Sequence, residues 1–275
     1  MDRLRFCVWL LAGLVFAASQ SSARAETSPT VTTQMDIPSA VNIAGSQRML
    51  SQRMVKAYLM LGQGIAADDA RTVLQGSIDQ FESQLAALKA FQPTPLVRSA
   101  AVNLDAAWTK CKALLTQAPS KAGAIELYDA NEALQNAAHS AVLAYQDVTG
   151  APLDHLVNLA GRQRMLSQRM AKFYFYSTWK LYNDPADMEL HLSRAHFTAV
   201  LIQLESSPLL SAQIKVRVAQ LRREWEPYQQ ALFASRKPME MRRDAPRVAE
   251  LSERVLAGTE ELVALIVKQA QGAPR

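Results

Sequence analysis

The sequence predicts an all-α protein built from two tandem antiparallel four-helix bundles. The chain is rich in Ala and Leu, has few Gly residues and lacks the alternating apolar pattern that is typical of β-strands. A 17-residue segment, called the box below, occurs at 41–57 and again at 157–173, with 13 identical positions. Apolar residues follow each box at the heptad-like spacing of amphipathic helices, which is the pattern of a helical bundle.

The duplication continues through three further predicted helices in each half. The apolar stripes at 74–88 and 97–115 correspond to 190–204 and 214–232, and looser stripes follow at 127–141 and 248–262. Helix-breaking residues lie near the predicted connections, at Pro93, Pro95, Gly123, Asn183-Asp184-Pro185 and Pro208. We therefore predict two domains, 26–148 and 149–275, with Pro152 in the first turn of the helix that follows the join.

The first 25 residues have the features of a secretory signal peptide. Arg3 and Arg5 precede an apolar run, and Ala23-Arg24-Ala25 matches an A-x-A cleavage site. The run is shorter than the roughly 20 apolar residues that cross a bilayer as a helix, although an uncleaved anchor is the alternative interpretation. We therefore expect export to the periplasm of a Gram-negative cell, with no membrane span after cleavage.

Charge and cysteine content narrow the function further. Beyond residue 25 the chain has 27 basic and 24 acidic residues without a basic run, which argues against nucleic-acid binding. Cys111 is the one cysteine after residue 25, so no disulfide can form within that part of the chain. Because Cys111 belongs to an apolar stripe, we interpret it as a buried structural thiol.

No motif for catalysis, a metal or a cofactor stands out, so we predict that the protein is not an enzyme. Four histidines lack the spacing of metal ligands and are interpreted as scattered, solvated residues: His139, His155, His191 and His196. Four box methionines are assigned to core packing rather than to copper: Met49, Met54, Met165 and Met170.

A helical projection divides the box into two faces. The arc that contains Leu50 and Met54 is the predicted core side, and Arg48 lies roughly 140° from its centre among small residues. The second box repeats this arrangement around Arg164. If the two box helices pack face to face, Arg48 and Arg164 converge, and an anion between them would offset their repulsion.

An arginine beside small polar groups suits a planar oxyanion, because its paired N–H donors match two oxygens. The alternative is that arginines on a bundle surface pair with Glu or stay solvated, and that Gly and Ala at a crossing serve packing. The residues predicted to bind the anion are Arg48, Arg164, Gly45, Gly161, Ser51, Ser167, Gln52 and Gln168, with Arg53 and Arg169 on the opposite flank.

The box, N-x-A-G-x-Q-R-M-L-S-Q-R-M, resembles that of PilJ-type domains, found at the N-termini of type IV pilus methyl-accepting chemotaxis transducers. It is also similar to the periplasmic box of the NarX/NarQ nitrate and nitrite sensor kinases. The resemblance implies a periplasmic four-helix sensor bundle. In the nitrate sensors, the first box arginine of each of two subunits binds the anion, and the matching positions here are Arg48 and Arg164.

This sequence differs from those receptors in that we expect two bundles and neither their transmembrane helices nor their signalling module. We therefore hypothesise a pseudo-dimer within one chain, with a single nitrate or nitrite site between Arg48 and Arg164. Its occupancy would pass to a membrane-bound sensor kinase or chemoreceptor. Ser46 corresponds to Arg162, whose role stays open between a ligand contact and a surface replacement.

The alternative function is a non-sensing helical interaction or adaptor protein of the cell envelope. Its box would be a helix-crossing surface for a type IV pilus or chemoreceptor partner, or for a second copy of the chain. The sequence leaves open whether the protein forms a homodimer and which anion, if any, it binds.

Overall fold

Helices account for most of residues 35–273, the part of the chain that the computed structural model describes. The predicted signal peptide lies outside this part. The helices are, in order, α1 (Ile37–Gln63), α2 (Ala67–Ala90), α3 (Pro95–Leu115), α4 (Lys121–Gln146), α5 (Pro152–Thr178), α6 (Asn183–Ser206), α7 (Ala212–Phe233) and α8 (Pro238–Gln271). No strand occurs among the described residues, and none of their helices is long and apolar enough to cross a bilayer.

Local sequence signals explain where several helices begin and end. The side chains of Asp36, Thr94 and Ser120 each accept a hydrogen bond from a backbone N–H in the first turn of α1, α3 and α4. Such caps satisfy donors that have no partner inside the helix. Gly64 ends α1 with φ 65°, the left-handed conformation that favours glycine at this position.

Two breakers lie inside helices rather than between them. Gly123 belongs to the first turn of α4, and Asn183-Asp184-Pro185 opens α6, so the connection before α6 falls at 179–182. Pro227 and Pro246 lie within α7 and α8, where each removes one N–H from the helical ladder. The apolar periodicity continues on both sides of each proline, so packing maintains the helix although one backbone hydrogen bond is lost.

Each half forms a four-helix bundle around its box helix, which confirms the predicted fold class. In the first bundle, α1 packs against α2 and α4, and α3 closes the structure against α4 and α2. In the second, α5 has the same relation to α6, α8 and α7. Phe81 stacks on Trp108 with ring centroids 4.3 Å apart, and the equivalent Phe197 and Trp225 rings are 4.5 Å apart.

The methionines and the cysteine that were assigned to the core are buried, as predicted. The side chains of Met49, Met54, Met165 and Met170 belong to the apolar core. Cys111 is also buried, and burial raises the pKa of its thiol to about 12. A thiol with so high a pKa is a poor nucleophile at neutral pH, which agrees with a structural role.

The two bundles join along α1 and α5, which form the most extensive helix contact in the described structure. The two helices run parallel: near their C-terminal ends, Gln63 Nε2 donates to the Phe175 carbonyl at 3.0 Å, and Gln63 Oε1 accepts from Thr178 Oγ1 at 2.9 Å. Residues 35–273 belong to one compact unit, and α4 and α5 are joined by a short connection at 147–151. The domain boundary at 148–149 stays a prediction.

An ion-pair cluster joins α1 of the first bundle to α8 of the second. Arg53 Nη2 lies 2.5 Å from Glu253 Oε2, and the Lys56 ammonium also binds the Glu253 carboxylate. Lys56 donates a further hydrogen bond to Ser252 Oγ at 3.0 Å and is 1% exposed. A buried ammonium is tolerated here because a carboxylate and a hydroxyl replace the water that it lost.

The second cluster joins α5 to α4 and is related to the first by the duplication. Arg169 and Lys172 bind Glu132 at 2.8 Å each, and Lys172 also donates to Asn131 Oδ1 at 2.8 Å. Arg169 has Glu189 as a second carboxylate partner at 2.9 Å. We call the two sets crossed clusters, because each links the box helix of one bundle to the last helix of the other.

The crossed clusters make the carboxylates acidic. Burial alone would raise the pKa of Glu132, but Lys172 and Arg169 outweigh it and hold that pKa at about 2. Glu253 likewise has a pKa of about 2, because Lys56 and Arg53 outweigh its burial. Burial lowers the pKa of Lys172 to about 8 despite Glu132. Removing either carboxylate would leave a buried ammonium without its counter-charge.

We predict that Glu253→Gln lowers the free energy of unfolding by about 3 kcal/mol at pH 7, because the buried Lys56 loses the carboxylate that balances its charge. Urea unfolding measures the loss. In the unchanged protein this stabilisation is lost as the pH falls from 4.5 towards about 2, since the folded pKa lies below the unfolded one. The Glu253→Gln variant should lack that acid-dependent loss.

Glu250→Gln is the matched control, since Glu250 is exposed and its partner Arg254 is exposed too. It should change the free energy of unfolding by less than about 1 kcal/mol. Equal losses in the two variants would contradict a stabilising role for the crossed cluster.

Candidate functional site

Arg48 and Arg164, the first arginines of the two boxes, meet where α1 packs on α5. A Cβ placed on Gly45 would lie 3.5 Å from Arg48 Nη2 and 3.4 Å from Arg164 Nη2. A Cβ placed on Gly161 would lie 3.7 Å and 3.4 Å from the same two atoms. Both glycines therefore face both guanidinium groups, and the convergence expected from the helical projection occurs within one chain.

Each guanidinium group reaches across to the opposite box helix. Arg48 Nη2 donates to the Asn158 carbonyl at 3.3 Å and to Asn158 Oδ1 at 2.9 Å. Arg164 Nη2 donates to the Asn42 carbonyl at 3.1 Å. Asn42 and Asn158 occupy the same position in the two boxes, so these contacts follow the pseudo-two-fold symmetry of the duplication.

The two arginines are buried like charges. Arg48 is 1% exposed and Arg164 is 5% exposed, and within the described part of the chain neither has a carboxylate among its hydrogen-bond partners. The Nε of each also lacks a partner among those residues, as does Asn42 Oδ1. Buried donors without a partner on a cation are costly, and an acceptor with negative charge would offset that cost.

Burial shifts both arginines towards the neutral form. Desolvation lowers the pKa of Arg48 to about 9, and the charges of Arg164 and Arg162 add to the shift. Desolvation likewise lowers the pKa of Arg164 to about 10, although the charge of Glu260 opposes the change. A bound anion would act in the opposite direction on both groups, because it favours the charged guanidinium.

His139 of α4 lies beside Arg48, although its sequence position has no metal-ligand pattern. Its Nδ1 lies 3.2 Å from Arg48 Nη1, and burial and the charge of Arg48 lower the pKa of the imidazole. The interpretation of His139 as a scattered, solvated residue is therefore wrong. His139 lies two turns after Asn131, whose Nδ2 donates to the Ser51 carbonyl, so both residues are on the side of α4 that packs on α1; no sequence pattern marked this side.

The two halves of the site differ in charge. The residue of α8 that corresponds to His139 is Glu260, which is exposed and raises the pKa of Arg164 through its charge. Arg162, the counterpart of Ser46, lowers the pKa of both Arg48 and His139. Positive charge is therefore concentrated on the Arg48 side.

The predicted serines and glutamines are buried beside the arginines and bonded to their own helices. Ser51 Oγ donates to the Arg48 carbonyl at 2.8 Å, and Ser167 Oγ donates to the Arg164 carbonyl at 2.8 Å. Gln52 and Gln168 donate to these hydroxyls at 3.2 and 3.5 Å, and Gln168 also donates to the Ser252 carbonyl. These four side chains hold the backbone that carries the two arginines.

The second box arginines differ from the first in having carboxylate partners. Arg53 is held by Glu253, and Arg169 by Glu132 and Glu189, in the crossed clusters. The structure therefore brings Arg48, Arg164, Gly45 and Gly161 together and engages Arg53 and Arg169 in ion pairs between the bundles. The repeated lysines Lys56 and Lys172, which the sequence interpretation left without a role, belong to the same clusters.

Comparison with known proteins identifies the family. The PilJ model, described as the type IV pili methyl-accepting chemotaxis transducer N-terminal domain, matches residues 30–141 and 153–254. No curated protein and no solved structure matches the chain. The two matched segments cover well over half of the sequence, and each contains one box and the helices that follow it. The chain therefore belongs to the PilJ family and carries two tandem copies of its domain.

Proposed function

We propose that this protein is a periplasmic sensor that binds a small planar oxyanion, nitrate or nitrite, between Arg48 and Arg164. One observation carries the proposal: two buried guanidinium groups converge over two glycines and have no carboxylate partner among the described residues. A guanidinium offers N–H donors in a planar fork that matches two oxygens of a trigonal anion.

The glycines at the meeting point favour an anion of a few atoms. Both Nη2 atoms lie within 3.5 Å of the position that a Cβ on Gly45 would take, so the two guanidinium groups flank the same glycine and no side chain of that residue stands beside them. A nitrate ion beside the two glycines would accept hydrogen bonds from both arginines and supply an acceptor for their unpartnered Nε groups. Its negative charge would replace the repulsion between the arginines with two attractions.

Binding would change the relation between the two bundles. Arg48 belongs to the first bundle and Arg164 to the second, so an anion shared by them would draw α1 and α5 together. The crossed clusters further along the same two helices would transmit that change to α4 and α8. We propose that a membrane-bound sensor kinase or chemoreceptor reads the altered arrangement, because PilJ domains belong to chemotaxis transducers.

The alternative function is an interaction or adaptor protein that uses the box as a docking surface. The face that carries Gly45 and Gly161 is covered by the opposite box helix of the same chain. A partner or a second copy of the chain would therefore have to bind another surface. This contact within the chain favours the anion-binding proposal.

We predict that nitrate or nitrite binds with a dissociation constant at or below the millimolar range in calorimetric titration. Arg48→Ala and Arg164→Ala should each weaken binding about 30-fold, which corresponds to about 2 kcal/mol from charge-assisted hydrogen bonds. Arg222→Ala is the control with unchanged affinity, because Arg222 pairs with Glu205 between α6 and α7. A wild-type protein that binds no small oxyanion at millimolar levels would refute the proposal.

Gly45→Ala should distinguish the role of Gly45 in anion binding from its role in helix packing. The new methyl group would meet Arg164 Nη2 at 3.4 Å, an ordinary contact, so the helix should gain up to about 1 kcal/mol of stability. The methyl group would occupy part of the space beside the two guanidinium groups, and nitrate affinity should fall at least tenfold. Thermal unfolding and calorimetry measure the two effects.

Gly76→Ala in α2 is the matched control, because no atom lies within 4 Å of its added Cβ. It should show a similar gain in stability with unchanged nitrate affinity. If Gly45→Ala also leaves the affinity unchanged, the anion does not lie over the glycines.

The pH dependence of binding should follow Arg48. Nitrate affinity should be steady near pH 7 and fall as the pH passes about 9, because the neutral arginine offers no charge. Without nitrate, the effect of Arg48 on stability runs in the opposite direction. The free energy of unfolding rises with pH between about pH 9 and pH 12.5, because in this range Arg48 is protonated in the unfolded chain and neutral in the folded one. Thermal unfolding of wild type and Arg48→Met from pH 7 to 10 isolates this term, and identical pH profiles would contradict it.

A further inference from the structure

A groove lies between α1 and α2 of the first bundle and α8 of the second. It encloses about 550 Å³, within the size range of pockets for small organic molecules. Its buried floor contains Lys56, Met60 and Ala249, and its walls include Ala66, Val73 and Pro246. Polar residues complete the lining: Asp69, Thr72, Glu250 and Glu253. The proposed anion site shares none of these residues.

Tyrosines occupy the equivalent place in the other half of the molecule. When the two boxes are aligned, Met60 and Ala66 correspond to Tyr176 and Tyr182. When α8 is aligned with α4 so that Glu253 matches Glu132, Ala249 corresponds to Tyr128. Tyr128 lies against both other rings, with centroids 4.5 Å from Tyr182 and 5.7 Å from Tyr176. Three tyrosine rings therefore fill the space beside Lys172, whereas the equivalent space beside Lys56 is an open groove.

Backbone geometry supports this correspondence. Ala66 and Tyr182 each precede the second helix of their bundle with positive φ, 42° and 52°. Non-glycine residues adopt such angles infrequently, so a shared angle at equivalent positions marks the same turn in both halves. The difference between the halves is therefore one of side chains on a common backbone.

The filled half shows which chemistry the open groove accepts. There the Lys172 ammonium lies 4.4 Å from the Phe173 ring centroid and 6.0 Å from that of Tyr128, so aromatic faces surround a buried cation. In the open half, Lys56 has Ala57 and Ala249 at those positions. An aromatic ring from outside the chain would restore the contact that Lys56 lacks.

The rim of the groove adds a charge preference. Asp69 is exposed at the position where the filled half has Pro185, and Glu250 extends from α8 with Arg254 as its ion-pair partner. Glu253 is already neutralised by Arg53 and Lys56. Asp69 has no ion-pair partner among the described residues, so its carboxylate gives the mouth of the groove an attraction for positive charge.

We propose that this groove binds a small aromatic amine. The ring lies over Met60 and Ala249 and faces the Lys56 ammonium, and the amine of the ligand meets Asp69 and Glu250 at the rim. The ligand would contact helices of both bundles, so its binding would stabilise their joined arrangement independently of the arginine pair.

Tyramine tests the proposal, because it combines the phenol ring of the filled half with a positive charge. Calorimetric titration should show saturable binding below about 10 mM. The double variant Ala66→Tyr/Ala249→Tyr introduces two of the three tyrosines of the filled half, and it should weaken tyramine binding about tenfold while leaving nitrate affinity unchanged. Absence of tyramine binding to the wild type, or unchanged binding to the double variant whose helicity is intact, would overturn the assignment.

Asp69→Asn keeps the proposal testable if the double variant does not fold. It should weaken tyramine about tenfold and leave the binding of the uncharged 4-ethylphenol unchanged. Asp68→Asn is its control, since Asp68 is exposed, pairs with Arg71 and does not line the groove. Equal effects of the Asp69 change on the charged and uncharged probes, or no effect on tyramine, would refute recognition of the amine.

Discussion

Two arginines meet where parallel helices pack on a pair of glycines, and this close approach imposes conditions on the surrounding structure. Gly45 and Gly161 face the guanidinium groups of Arg48 and Arg164 closely enough that an added Cβ would contact them, so a side chain longer than alanine at either glycine would displace them. Like charges at an interface oppose its formation, and the interface must be held by other contacts. The crossed clusters provide them, because Glu253 and Glu132 each bind two cations of the opposite bundle's box helix.

The fold could be predicted from the sequence because a helical bundle depends on local, periodic information. Apolar spacing and caps such as Thr94 determine the helices, and the repeated box reveals that the same unit occurs twice. The face that carries Arg48 could also be predicted, since a helical projection requires no tertiary knowledge. The partners of that face could not. His139, which contacts Arg48, comes from a distant helix whose apolar stripe matches loosely between halves, and so does Glu253, the partner of Arg53 and Lys56. The register of these helices against the box was therefore not determined by pattern.

Duplication also explains why equivalent positions have diverged. Once both halves lie in one chain, a residue can change on one side while its counterpart keeps the original contact. His139 beside Arg48 corresponds to Glu260 near Arg164, and the tyrosines around Lys172 correspond to smaller residues around Lys56. The two halves keep the same residue where a buried charge must be balanced, as at Glu132 and Glu253. They differ at the positions around these ion pairs.

The short connection between α4 and α5 has a consequence for the proposed anion site. A site that forms between separate subunits is lost when the protein falls below its dimerisation constant, and its apparent affinity then depends on protein concentration. Here residues 147–151 tether the bundles, so the encounter of Arg48 with Arg164 is intramolecular and has a fixed effective concentration. Occupancy of a site between these arginines would report the ligand alone, whatever the abundance of the protein.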